Sequence, residues 1–339
     1  MRTVASDDSK RSISMKAKNI FIALLILLLA STSVFANGEQ EKSEKVWPAK
    51  SIQIVVPYSP GGDTDYTARE YAKYLTDILG VPVVVTNVTG SGGAIGARKV
   101  LDANPDGYNV LWTHSAMLVS EAAGTFDKNV NDYELACIGA RNNSIMLFAS
   151  KASKYNTFQE VVAASNKNPN TITYAANTGA TTYYVGATMN SQGAAFKLAD
   201  FGGSSDRLAA MLGGQVDIIP NAYGMMKDYI DSGEVKVLAN TGSERLSEVP
   251  NVPTLAELGF PDSTLDLYYF FAFPKGTPKE IVDKWSDAVR QVSEKQSYKD
   301  EIYKAYFFKP YYRNSSDALK EMTAQRDVIM KYKDLLKVN

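Results

Sequence analysis

His114 is the sole histidine of the chain and Cys137 the sole cysteine, which restricts the available chemistry at once. A metal site built from several histidines is excluded, and any catalytic triad would have to take its one base from His114. No serine is followed by a lysine at the third position, and no Gly-x-Ser-x-Gly turn occurs, so the usual signatures of an activated serine are missing. His114-Ser115 closes a strand-like run and has two open roles, contact with a ligand or strand-end structure. Cys137, within Leu135-Ala136-Cys137-Ile138-Gly139, reads as a small core residue, and alone it can form no intramolecular disulfide. The inventory points to binding without catalysis, with no cofactor and no metal.

The chemistry the residues do suggest is capture of an anion. Tyr58-Ser59-Pro60-Gly61-Gly62-Asp63-Thr64-Asp65 leads from an apolar run into a stretch carrying Ala68-Arg69. Adjacent glycines let backbone approach a ligand closely, and the opening turn of a helix aims unpaired N–H groups and partial positive charge at it. The same residues also make a tight turn, capped by Asp63 or Thr64 and braced by an Asp65–Arg69 pair. A second glycine-rich stretch, Gly90-Ser91-Gly92-Gly93-Ala94-Ile95-Gly96, invites a dinucleotide reading. However, the next strand ends in Trp112-Thr113-His114-Ser115, without the acidic residue that would hold a ribose.

Elements that position these loops follow from hydrophobic periodicity. Runs at Ile52–Pro57, Val83–Asn87 and Asn109–Thr113 alternate with helical patterns over Thr64–Leu79 and Ala94–Ala103. Further strands are expected at Ile145–Ala149, Ile172–Ala176, Ala195–Phe201, Val216–Pro220 and Val235–Asn240, with helices between. Alternation of this kind means βαβ units and a mostly parallel sheet, twice over in one chain. From Pro278 onward the pattern is helical, interrupted near Phe308-Lys309-Pro310. The division expected is 47–143 with 276–339 as one lobe and 144–275 as the other. Ligands of open parallel sheets bind beyond the carboxyl ends of the strands, where the informative loops lie.

At 339 residues, with 45% hydrophobic and 22% charged content, the chain is long enough for two ordinary cores. Lysine plus arginine (36) balances aspartate plus glutamate (37), so no positive field exists for nucleic acid or anionic lipid. Lys16 and Lys18 precede the apolar run Ile20 to Ala30, which at about a dozen residues is shorter than the roughly 20 of a spanning helix. This reads as a signal peptide over 1–36, cut after Val34-Phe35-Ala36, with Met15 as a plausible start, followed by a polar flexible leader over 37–46. Export places the mature protein in the periplasm.

Trp47-Pro48-Ala49-Lys50, Ile54-Val55-Val56-Pro57 and Pro60-Gly61-Gly62-x-x-Asp65-x-x-Ala68-Arg69 closely resemble the opening of the tripartite tricarboxylate transporter receptors, also called the Bug family. The resemblance continues in order through Val83-Val84-Val85, Asn87, Gly90-x-Gly92-Gly93-x-Ile95-Gly96 and Pro105-Asp106-Gly107-Tyr108. It extends through Leu212-Gly213-Gly214-Gln215-Val216-Asp217, Arg245, Val249-Pro250-x-Val252-Pro253-Thr254-x-x-Glu257-x-Gly259 and Gly276-Thr277-Pro278-x-x-Ile281-Val282. Nearly everything between residues 47 and 290 is covered. It implies an α/β, type II periplasmic-binding-protein fold, with two α/β lobes and an interlobe ligand cleft. It also implies a small organic acid or amino acid as ligand, gripped by amides, hydroxyls and water, and integral membrane transporter subunits as partners. Docking to a signalling protein is the alternative use.

The first-lobe contacts would come from Tyr58, Ser59, Gly61, Gly62, Asp63, His114 and Ser115. Those of the second lobe would come from Asn177, Thr178, Thr181 and Thr182 at the opening of a helix, with Phe201, Gly203, Ser204 and Tyr223. Tyr58, Phe201 and Tyr223 can wall the cleft or pack at strand ends. Charge-assisted hydrogen bonds of about 1.5–3 kcal/mol each reach micromolar affinity with no cationic residue in these loops. The chain departs from the family at Tyr184, where a histidine is common, and at Asp200-Phe201-Gly202-Gly203, where Pro-Tyr-Lys-Gly is common. It departs again at Thr86 and Val88-Thr89 around Asn87. With that lysine gone, Asp63 and Asp206 either cap helices or meet the amino group of a zwitterion.

Overall fold

The computed structural model describes residues 47–337; the signal peptide and leader expected over 1–46 lie outside them. In chain order the strands are Ile52–Val56 (β1), Val83–Asn87 (β2), Asn109–His114 (β3), Tyr133–Asn142 (β4), Ile145–Ser150 (β5), Thr173–Ala176 (β6), Lys197–Asp200 (β7), Ile219–Ala222 (β8), Val235–Asn240 (β9), Leu267–Pro274 (β10) and Lys309–Asn314 (β11). The helices are Asp63–Leu79 (α1), Ala94–Leu101 (α2), Ala116–Ala122 (α3), Phe158–Lys167 (α4), Thr181–Ser191 (α5), Ser204–Leu212 (α6), Tyr223–Asp231 (α7), Lys279–Glu294 (α8), Gln296–Tyr306 (α9), Ser315–Met330 (α10) and Lys333–Leu336 (α11). No helix among the described residues is long and apolar enough to cross a membrane.

β1 is buried at every position but Gln53, as a strand covered on both faces must be. It pairs in parallel with β2 and β3. α1 buries Ala68, Tyr71, Ala72 and Leu75, three and four residues apart, so it lays one apolar stripe on the sheet. Its closing residue, Gly80, takes φ +71° and returns its N–H to Thr76 O, a left-handed cap that suits glycine. Beneath α1, Trp112, Tyr71, Phe271 and Trp285 form an aromatic core; the rings of Trp112 and Phe271 are 4.2 Å apart.

Alternation of strand and helix predicts a mostly parallel sheet, but the sheet is mixed. Its order is β11-β4-β10-β3-β1-β2, and the pairings β3–β10, β10–β4 and β4–β11 are all antiparallel. β10 is the aromatic run Leu-Tyr-Tyr-Phe-Phe-Ala-Phe-Pro, buried except at Tyr268. The division at residue 275 assigns it to the second lobe, yet it pairs with β3 and β4 in the middle of the six-stranded sheet. Its hydrogen-bond partners lie far away in sequence, so no local signal tells which sheet receives it. The interruption of the C-terminal helices expected near Phe308-Lys309-Pro310 is the strand β11. Cys137 is fully buried in β4, and burial pushes its thiol well above the usual range.

The second layer consists of the antiparallel sheet β8-β5-β9 and the parallel pair β6-β7. Thr173 O accepts from Asp217 and Ile218 N–H, and Ala175 N–H donates to Ile218 O, so β6 is joined to the strand leading into β8. Met146, Phe148, Ile219, Leu208, Met211 and Met226 fill a core of their own.

Two chain crossings link the layers and lie against each other. One is Asn142 to Ser144, between β4 and β5; the other begins at Thr241 after β9. Thr241 N–H and Oγ1 both donate to Ile145 O, at 2.9 Å each. Nearby, Arg141 binds Asp266 at 2.6 Å, and Asp266 also accepts from the Ser243 amide and hydroxyl.

Candidate ligand-binding site

Loops at the carboxyl ends of β1, β2 and β3 form one wall of a cleft of about 490 Å³, and loops after β6, β7 and β8 form the other. This size suits a small metabolite. In the first wall, the Tyr58 ring lies over Gly93, where a Cβ would come within 3.1 Å of it at a backbone φ of +104°. The glycine-rich stretch therefore makes room for an aromatic side chain. Tyr58 stacks on His114 at 4.8 Å between ring centres, and its hydroxyl is 3.3 Å from Thr113 Oγ1.

The turn into α1 is tied by Asp65. Its carboxylate takes a two-point contact from Arg69, the Gly61 N–H at 2.9 Å and Asn87 Nδ2 at 2.9 Å. Burial alone would raise the Asp65 carboxyl, but these donors outweigh it and hold it below the usual range. Asp63 faces the cleft from the same turn. Its Oδ1 accepts the Thr64 N–H at 2.8 Å, and its Oδ2 accepts the Tyr269 hydroxyl. The positive end of α1 thus already meets a carboxylate of its own chain, so this loop is a poor seat for an external anion.

The opposite wall is different. α5 and α6 open at Ala180 and Gly203, neither of which supplies a side-chain cap, and Thr181, Thr182, Ser204 and Ser205 line the cleft at these openings. Arg207, only 5% exposed, lies among them. Its guanidinium donates to Gly202 O at 2.6 Å, Pro220 O at 3.2 Å, Ser204 Oγ at 3.1 Å and Asn221 Oδ1 at 3.1 Å. These four acceptors are all neutral, for a group with five donors. Among the described residues no carboxylate lies within 4 Å of it, whereas the half-buried Arg141 and Arg326 make ion pairs with Asp266 and Glu121. Burial lowers the Arg207 pKa to about 10, against the pull of surrounding groups that include Asp63 and Asp206, which leaves it charged at neutral pH.

His114 takes the Ala116 N–H on Nδ1 at 3.2 Å, so in its neutral form the proton sits on Nε2. Burial pushes its pKa down to about 4, with Asp63 pulling the other way. Its folded value is below the unfolded one near 6.5, so the unfolded chain takes the proton first. The stability this histidine supports is complete above pH 6.5 and is lost as pH falls from there towards 4. Urea unfolding between pH 6.5 and 5, a window above most carboxylates, should show that decline, and His114→Gln should flatten it.

The model of the tripartite tricarboxylate transporter family receptor matches residues 67–337. The chain belongs to this receptor family. The receptor is 31% identical over 293 residues to a Cupriavidus necator protein designated UPF0065 protein in gbd 5'region, covering 84% of this chain and 87% of that one. It superposes on the periplasmic binding protein BugD with a TM-score of 0.76 at 25% identity, covering 86% of this chain and 99% of BugD. Its fold is shared with MatC from Rhodopseudomonas palustris, solved with bound malate, at a TM-score of 0.75 and 22% identity over 86% of this chain and all of that one. The fold class is that of these periplasmic solute-binding receptors, and the family is one of receptors, not of enzymes. No three potential metal ligands come together among the described residues.

Of the residues singled out by sequence, Tyr58, Ser59, Gly62, Asp63, His114, Asn177, Thr181, Thr182, Gly203 and Ser204 line the receptor's cleft. Five lie outside the lining. The Ser115 hydroxyl is held between Gln325 and the Tyr268 amide. Gly61 accepts the Tyr306 hydroxyl, and the Thr178 amide is bound to Asp200. Phe201 packs on the second core, and Tyr223 packs edge-on against Phe307 at 4.8 Å. Arg207, not among the residues singled out by sequence, adds a cation to the lining from the first turn of α6. A signal for it existed: an arginine in the first turn of a helix opposes the macrodipole and needs a local reason. Asp206 follows the capping reading, since its Oδ2 accepts the Gly203 N–H at 3.1 Å.

Proposed function

We propose that the receptor is an exported protein that closes on a small carboxylate-bearing metabolite and presents the liganded form to integral membrane subunits of a tripartite tricarboxylate-type transporter. The observation that carries this reading is Arg207, a buried guanidinium with no ion-pair partner within 4 Å, set in the first turn of α6 and lining the cleft. Buried charges in proteins are paired, and here a ligand carboxylate supplies the missing partner. Malate in MatC, a neighbour of the same fold, is a ligand of this class. Removal of a leader after Ala36 accords with the basic and apolar segments that precede it.

A thermal-shift panel of mono-, di- and tricarboxylates, aromatic acids and amino acids tests the reading. Ligand at about 100 times its dissociation constant adds roughly 2.7 kcal/mol of stability, which moves the midpoint of a protein this size by about 4 °C. A panel with no saturable shift would refute carboxylate capture. Pull-down of the liganded receptor against membrane fractions then tests transporter docking, which predicts recovery of integral membrane subunits.

A further inference from the structure

We propose that the cleft is bipolar and selects a zwitterion, an amino acid or a close derivative, with its carboxylate on Arg207 and its ammonium on Asp63. This rests on the receptor reading and narrows its ligand class.

Each wall contributes a charge that is in no direct ion pair. On the second wall that charge is the Arg207 guanidinium, whose bonded partners are all neutral. On the first wall it is the Asp63 carboxylate, whose bonded partners, the Thr64 N–H and hydroxyl and the Tyr269 hydroxyl, are likewise neutral. Both residues line the same cleft, and no ion pair joins either of them to any described residue within 4 Å. A gap is left between them that a small molecule can bridge.

The sign of each wall decides the ligand. A dicarboxylate spanning the cleft would set its second negative charge against Asp63, and like charges at close range penalise the wrong partner. A zwitterion satisfies both walls. His114, neutral above about pH 4, does not compete for the anion. Asp206, the other acid of the lining, is held against the Gly203 amide at the start of its own helix. That leaves Asp63 as the carboxylate opposite Arg207.

The test is calorimetric titration of the mature receptor with the common L-amino acids and, for the best binder, with the des-amino acid of the same carbon skeleton. Loss of the amino group should weaken binding by about 100-fold or more, the scale of an unpaired buried charge. Asp63→Asn, which keeps the shape and the Tyr269 contact, should erase most of that discrimination while leaving the thermal midpoint of the free protein near that of the parent. Equal binding of amino and des-amino ligands, or an unchanged preference in Asp63→Asn, would overturn the ammonium seat and leave carboxylate capture standing. Saturable binding of neither class would remove both.

Discussion

Arg207→Met is expected to abolish ligand-induced stabilisation, with affinity for the natural carboxylate falling by about 10²- to 10³-fold. Truncating one member of a buried, hydrogen-bonded charge pair typically costs about 2–5 kcal/mol, and in this receptor the other member arrives with the ligand. The free protein should respond much less. Methionine fills a similar apolar volume, and removing a guanidinium that lacks a countercharge relieves desolvation. Against this, Gly202 O, Pro220 O and Asn221 Oδ1 each lose a donor. Arg207→Lys should fall between parent and methionine variant, because an ammonium keeps the charge but cannot reproduce the planar fork that reaches Ser204, Asn221 and both carbonyls. Calorimetric titration beside thermal unfolding of the free protein separates the two effects. Affinity within threefold of the parent in Arg207→Met would place the anion elsewhere.

Gly242→Ala is expected to be the most damaging single-methyl change in the region between the layers. A Cβ there would lie 2.2 Å from Asn143 O, 2.9 Å from its carbonyl carbon and 3.1 Å from its Cα. All three are backbone atoms, so no side chain can swing aside. The two crossings would have to separate, straining the bonds from Thr241 to Ile145 and from the Gly242 amide to Asn240 Oδ1. Overpacking against fixed backbone destabilises by about 3 kcal/mol or more, so the thermal midpoint should drop by roughly 5 °C or more. Gly233→Ala is the control. It stands in open space at φ +69°, and the left-handed backbone alone costs about 1–2 kcal/mol. Comparable midpoints for the two variants would show that the crossings give way easily.

Legibility differed between the two walls for physical reasons. The turn after β1 could be read because its determinants are local: glycine at a positive φ, Asp65 four residues from Arg69, and a helix periodicity that starts at once. The second wall depends on a side chain that folds back. Arg207 turns under its own helix to reach Gly202 O and Pro220 O, and by composition alone Ser-Ser-Asp-Arg looks like a solvated first turn. Phe201 and Tyr223 follow strands directly, where a shift of one residue changes the face, so their distance from the cleft was beyond local pattern. β10 shows the same limit on a larger scale. Its aromatic run is plainly strand-forming, yet its place between β3 and β4 is decided by partners more than a hundred residues away.

Cys137, sealed at zero exposure in β4, has a practical corollary. A lone thiol out of reach of oxidants gives the chain no partner choices to make in an oxidising compartment, so its maturation requires no disulfide isomerase. It also leaves the surface chemically blank towards maleimides, and a cysteine engineered at the cleft rim would become the single attachment point for an environment-sensitive dye that reports occupancy in real time.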